Sequence, residues 1–158
     1  MRRKMLREAD RERWNIQPVT PETLPFVVDY CVRCITGRPT AEDFLNLLER
    51  YRERLAGENY WCFVALAGAE PVGYVDLEVR TYEGERTLWV SELYVRGDWR
   101  RQGIGTALLR KALAWAGEQG WPALYASTET ENAAARRVLR KVGFRPERTI
   151  FRGRPGEK

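Results

Sequence analysis

At 158 residues, 44% hydrophobic and 31% charged, the chain has the length of one ordinary domain, with enough apolar surface for a core and too little polar bias for disorder. No apolar run approaches the roughly 20 residues of a spanning helix, and the basic start Met1 to Arg7 has no apolar stretch behind it; the reading therefore predicts no secretory signal, no membrane partner and a cytoplasmic location. The net charge of +5 is unevenly spread, with 13 basic and 16 acidic side chains in residues 1–95 against 14 basic and 6 acidic in residues 96–158, which fits a polyanionic ligand, a nucleic-acid surface or a solvated face.

Taken in chain order, residues 1–14 are polar and mixed in charge and read as a flexible extension to a single domain over 15–158. Asn15 to Val19 fits a short strand. Thr20-Pro21-Glu22 then supplies an N-cap, a proline at the first helical position and an acid in the first turn. Leu24, Val27, Val28 and Cys31 follow at helical spacing, so a helix is expected to about Cys34. Cys31 and Cys34 form a C-x-x-C, a spacing that metals and redox chemistry use. With no histidine in the chain and the motif closing a helix instead of opening one, both thiols read as small core residues, and no metal is expected. An odd total of three cysteines, counting Cys62, reads as reduced thiols.

Gly37-Arg38-Pro39 breaks that helix, and Thr40 caps a second, with Phe44, Leu47, Leu48, Tyr51 and Leu55 on one face until Gly57. From Tyr60 the pattern changes to strands: Trp61 to Ala67, Val72 to Arg80 and Arg86 to Val95 are joined by turn signals and should lie antiparallel. A loop leads to a helix from about Gly103 to Glu118, then a strand Ala123 to Ser127, a helix from about Asn132 to Val142 and a last strand Thr149 to Arg152. The order β-α-α-β-β-β-α-β-α-β predicts an α/β (α+β) domain with a mixed, mostly antiparallel central sheet and helices on both faces.

The loop after Val95 reads Arg100-Arg101-Gln102-Gly103-Ile104-Gly105-Thr106-Ala107. Glycines at a helix start let a ligand approach the backbone, and free N–H groups with the positive end of the helix dipole aim at one point, where a phosphate or pyrophosphate fits. Arg100 and Arg101 add charge-assisted donors. The pattern is neither a dinucleotide G-x-G-x-x-G, since Leu108 stands at the third glycine, nor a P-loop.

It resembles motif A of the GNAT superfamily of N-acetyltransferases, Arg/Gln-x-x-Gly-x-Gly/Ala, preceded by a strand like Ser91-Glu92-Leu93-Tyr94-Val95. Asn132-Ala133-Ala134-Ala135 and Leu139-Arg140-Lys141-Val142-Gly143-Phe144 are similar to the second motif of that family. The resemblance runs from about Val90 to Phe144. It implies a GNAT-like fold and an enzyme that transfers the acetyl group of acetyl-CoA directly to a primary amine. By the same resemblance the pyrophosphate would sit on Arg101, Gln102, Gly103, Ile104, Gly105 and Thr106 beside Arg100. The pantetheine arm would pair with the edge of Leu93, Tyr94 and Val95, admitted by a splay from the strand Ala123 to Ser127, and Asn132 would hydrogen-bond the arm or cap its own helix. Domains that look like this often dimerise, so a homodimer is among the expected assemblies.

One residue departs from the family. Leu139 stands where many members carry a tyrosine that protonates the departing thiolate, a step leucine cannot perform. Water can protonate a CoA thiolate, and Tyr94 and Tyr125 are the candidate substitutes, each read first as a packing residue. An amine protonated at neutral pH needs a base, and Glu92 is the candidate, against a plain surface carboxylate; Glu129 and Glu131 follow. Residues 15–95, the expected acceptor side, hold 7 basic and 13 acidic side chains, which suits a small cationic acceptor. A non-catalytic acyl-CoA-binding domain is the alternative that Leu139 motivates. The interleaved aromatics and motifs of a nucleic-acid module are missing from the sequence, so no nucleic-acid partner is expected.

Overall fold

Apolar residues on both sides of a strand demand cover on both faces, and the run Tyr60-Trp61-Cys62-Phe63-Val64-Ala65 builds the centre of the fold for that reason. The structure, a computed structural model, describes residues 14–156. Its elements are β1 (Asn15–Pro18), α1 (Leu24–Ile35), α2 (Ala41–Ala56), β2 (Tyr60–Ala67), β3 (Glu70–Tyr82), β4 (Glu85–Val95), a 3₁₀ turn (Gly97–Trp99), α3 (Ile104–Glu118), β5 (Leu124–Tyr125) and α4 (Ala133–Val142). The strands form one sheet in the order β1-β2-β3-β4-β5. All neighbours are antiparallel except β4 and β5, which run parallel across the α3 crossover.

Alternation along β2 divides the core in two. Tyr60, Cys62 and Val64 join Tyr74 under α1 and α2, against Leu24, Val27, Val28, Cys31, Leu48 and Tyr51. Phe63 and Ala65 point the other way, with Val75, Leu77 and Leu88, and meet Ile104, Leu108, Ala112 and Ala116 of α3. Burying a Leu or Val side chain on either face contributes about 1.5–3 kcal/mol. The mixed sheet with helices on both faces is the predicted fold.

Several expectations need correction. Helix α1 begins at Leu24 behind Thr23 and not at Pro21, because Thr20 and Thr23 first close a turn in which each backbone N–H meets the other's hydroxyl, at 2.9 and 3.3 Å. Strand β5 is two residues long instead of five. Thr149 to Arg152 is not a strand, and Ile150 and Phe151 are 88% and 91% exposed; β-propensity needs a partner edge, and β5 offers little ladder to receive one. Cys34 is exposed while Cys31 and Cys62 are buried, so only two of the thiols are core residues. The proposed extension over 1–14 lies outside the described residues apart from Trp14, which packs against the α3-side core.

Candidate active site

The turn into α3 carries the first part of the site. Gly103 caps the helix in the left-handed region, φ 83°, and Arg101 is left-handed too, φ 63°. The first helical bond at this end runs from the Ala107 N–H to the Gly103 carbonyl, 3.0 Å, so the N–H groups of Ile104, Gly105 and Thr106 precede the ladder and face outward with the dipole. Ile104, 1% exposed, anchors the helix start in the core, while Arg101, Gln102 and Gly103 stay exposed around it. Arg100 turns back, its Nε donating to the Val95 carbonyl at 3.2 Å, and so ties the turn to the end of β4. Free N–H groups at a helix start are donors of the kind an anion takes.

The second part is an irregularity in β4. Asp76 of β3 faces Glu92, but Leu77 faces Val90, so Ser91 is an extra residue in β4. Such a bulge twists the strand and breaks its ladder locally. On the other side β5 pairs only through Leu88–Leu124 and Trp89–Tyr125. Beyond Trp89 the two strands part, leaving Val90 to Val95 without a β5 partner and Leu93 38% exposed. This is an open edge an extended chain can join.

Behind that edge, between the sheet and α1, lies a polar network. The Glu92 carboxylate is half-buried and accepts from the Tyr74 hydroxyl at 2.5 Å and, at 3.5 Å, from the Cys31 thiol. The Glu92 side chain is thus turned toward α1. Cys31 also accepts from Tyr51 at 3.2 Å, and burial pushes its thiol up to about 11. Asp76, 1% exposed, takes the Glu92 N–H at 2.7 Å and the Tyr60 hydroxyl at 2.6 Å. Arg54 covers the Tyr60 ring at 4.0 Å and pairs with Glu78 at 2.9 Å.

Burial, with the Glu92 charge adding to it, raises the Asp76 carboxyl from 3.8 to about 7, against the opposing pull of Tyr60, the Glu92 N–H and Arg54. The folded chain thus binds this proton more tightly than the unfolded chain. Stability from this group is full below the unfolded value, falls as pH rises between the two values and is lost above the folded one. Asp76→Asn keeps the size and an acceptor oxygen, and its NH2 can donate to the Tyr60 oxygen. We expect its melting temperature to fall less than the parent's between pH 5 and pH 8; parallel curves would contradict the raised value.

The other predicted residues are placed as follows. Tyr94 is stacked on Tyr30 with ring centroids 3.8 Å apart, and Tyr125 is stacked on Trp89 at 5.1 Å, so both are held by packing. The Asn132 side-chain oxygen caps α4 by accepting from the Ala135 N–H at 3.0 Å, which leaves its NH2 to donate. Glu129 and Glu131 are exposed, in the loop before α4. Leu139, with Ala135, Val138 and Val142, is half-buried and not core, because α4 lies at the rim against α3. Asp76 was missed, although a lone acid inside the apolar run Val72 to Leu77 was its signal. Among the described residues no group of side chains suits a metal ion.

Comparison with known proteins agrees with this architecture. Residues 27–144 match the family described as Acetyltransferase (GNAT). An uncharacterized N-acetyltransferase of Methanocaldococcus jannaschii is 30% identical over 94 residues, covering 58% of this chain and 41% of that protein. An L-methionine sulfoximine/L-methionine sulfone acetyltransferase of Pseudomonas aeruginosa is 35% identical over 79 residues, 49% of this chain and 46% of that one. The matches span less than half the length of these curated relatives. Among solved structures, an aminoglycoside N-acetyltransferase in complex with CoA superposes with a TM-score of 0.72 at 20% identity, covering 90% of this chain and 95% of that one.

Proposed function

The chain belongs to the acetyltransferase (GNAT) family, and on that premise we propose that it is an acetyl-CoA-dependent N-acetyltransferase whose acceptor is a primary amine on a small cationic molecule. The observation that carries the reading is the half-buried Glu92 carboxylate, bonded to Tyr74 beside the edge where β4 has left β5. Glu92 takes the proton of the incoming ammonium group, leaving a neutral amine. Bound acetyl-CoA supplies the acetyl thioester and a thiolate leaving group. The residues fit such a ligand: the N–H groups at the start of α3, with Arg100 and Arg101, suit a pyrophosphate, and the edge of Leu93, Tyr94 and Val95, which β5 leaves unpaired, suits an extended amide-bearing arm once Arg100 yields the Val95 carbonyl.

The acceptor side is assigned to α1, α2 and the loop between them. Its acidic balance, 13 acidic to 7 basic side chains over residues 15–95, supports a cationic guest. A solved neighbour of the same fold is an aminoglycoside N-acetyltransferase, which supports the same class. We place the protein in the cytoplasm, a compartment that suits the free thiols Cys31, Cys34 and Cys62. No helix among the described residues is long and apolar enough to cross a membrane.

Incubation with acetyl-CoA and a panel of polyamines, aminoglycosides, amino acids and peptides, followed by release of free thiol, tests the proposal. Acceptor-dependent thiol release with a small cationic amine is the expected result. Saturable acetyl-CoA binding with no release for any amine would instead mark a non-catalytic acyl-CoA-binding domain.

Leu139→Tyr tests the missing acid. The position is half-buried at the rim, so the larger ring should be accommodated. A thiol with a pKa of about 8.5 leaves tolerably well unaided, so we expect a severalfold rise in turnover and not the full effect of a general acid. Parental turnover in steady-state assays would show that thiolate protonation does not limit the rate.

A further inference from the structure

The reaction assigned above uses Glu92 but leaves Asp76, the most deeply buried carboxylate among the described residues, without a part. Its surroundings argue for one. The Ser91 bulge shifts the register where Asp76 and Glu92 face each other, and there the Glu92 N–H bonds the Asp76 side chain, 2.7 Å, where a regular ladder would offer it a carbonyl. The second Asp76 oxygen is fixed by Tyr60 on β2, 2.6 Å, which stands under Arg54 of α2. The bulged strand is therefore clamped by a β3 carboxylate that is itself held from β2.

Resting on the reading of Glu92 as the base, we propose that Asp76 is the positioning residue for that base: it holds the Ser91 bulge in place, aims Glu92 at the amine, and sets its own charge beside the Glu92 carboxylate. The two acids are directly opposed across β3 and β4, close enough to interact strongly when both are ionised. Groups facing the pair come from every neighbouring element: Tyr60 and Cys62 from β2, Tyr74 from β3, Cys31 from α1, Tyr51 and Arg54 from α2. Of these, Arg54 is the cation, and it also pairs with Glu78, so it neutralises Asp76 only in part. Burial raises the Asp76 carboxyl to about 7, so its charge appears across neutral pH on the strand facing Glu92.

The test is kcat against pH from 6 to 9 for the parent, Asp76→Asn, Asp76→Ala and Glu92→Gln, with an acceptor from the amine panel, saturating acetyl-CoA and acetyl-CoA affinity measured separately. Asp76→Asn keeps the clamp and removes the charge. It should lose the part of the parent's rise that crosses neutral pH and fall about fivefold above pH 7.5, with the acceptor KM and acetyl-CoA affinity within twofold. Asp76→Ala removes the clamp as well and should lower kcat by about tenfold at every pH. Should it fail to fold, Asp76→Asn decides alone. A pH profile for Asp76→Asn that overlays the parent's overturns the role of the charge, and parental kcat for a folded Asp76→Ala protein overturns the positioning role. Full activity of Glu92→Gln overturns the base reading itself, and a pH effect of Asp76→Asn in that case would mean that Asp76 does not act through Glu92.

Discussion

Glu92→Gln is expected to lower the rate at saturating acetyl-CoA by about 100-fold near neutral pH, the loss that follows from removing a positioned general base. Glutamine keeps an oxygen that can accept from the Tyr74 hydroxyl, now 2.5 Å from Glu92 Oε2, and its backbone N–H still reaches Asp76. The network should therefore survive, and the variant should melt close to the parent. The sign of the pH effect separates chemistry from damage. At high pH the amine is already neutral and no base is required, so the variant should recover part of the loss as pH rises toward 9. A structural defect would persist at every pH. Acetyl-CoA affinity should be unchanged, since the carboxylate lies on the α1 side of the sheet and not on the α3 cradle. Activity equal to the parent's across pH 6–9 would remove Glu92 from the mechanism and make Glu129 or Glu131, acting through water, the next to test.

What the sequence disclosed divides by whether the signal is local. The entry to α3 was legible because Gly103 must adopt φ 83°, a conformation with its own composition. The three central strands were legible because each is a run rich in β-branched, aromatic and apolar residues bounded by turn signals. The start of α1 was misplaced for a local reason: Thr20-Pro21-Glu22 carries the usual signals of a helix start, but the bonds between Thr20 and Thr23 close that segment into a turn and the helix begins at Leu24. The Ser91 bulge was not legible, since register belongs to a pair of strands and β4 alone does not say where β3 shifts against it. Glu92 was singled out without its partners, because Tyr74, Cys31 and Asp76 come from other elements. Thr149 to Arg152 failed in the opposite sense: its β-branched and aromatic residues satisfy a local preference that no partner strand answers.

Gly105→Val is expected to weaken acetyl-CoA binding at least tenfold, a loss of about 1.4 kcal/mol or more. A Cβ at Gly105 would meet Val95 Cγ2 at 3.8 Å and Leu93 Cδ2 at 3.9 Å, ordinary contacts that the fold can bear, and the residue has no left-handed backbone to strain. The same contacts show where the added methyl groups go. They point into the space between the start of α3 and the open edge of β4, which is the path assigned to the cofactor's arm as it leaves the pyrophosphate. The N–H groups that face this space precede the first helical bond, at Ala107, and lose their use if an anion cannot come within hydrogen-bond distance. Gly103→Val is the less informative change, because a β-branched residue at φ 83° is strained whether or not a ligand is present. Gly105→Ala should fall between the parent and valine, so that affinity follows the volume added. The measurement is calorimetric titration with acetyl-CoA, with melting temperature as the check on folding. Unchanged affinity in a folded Gly105→Val protein would place the pyrophosphate elsewhere and undo the assignment of this turn.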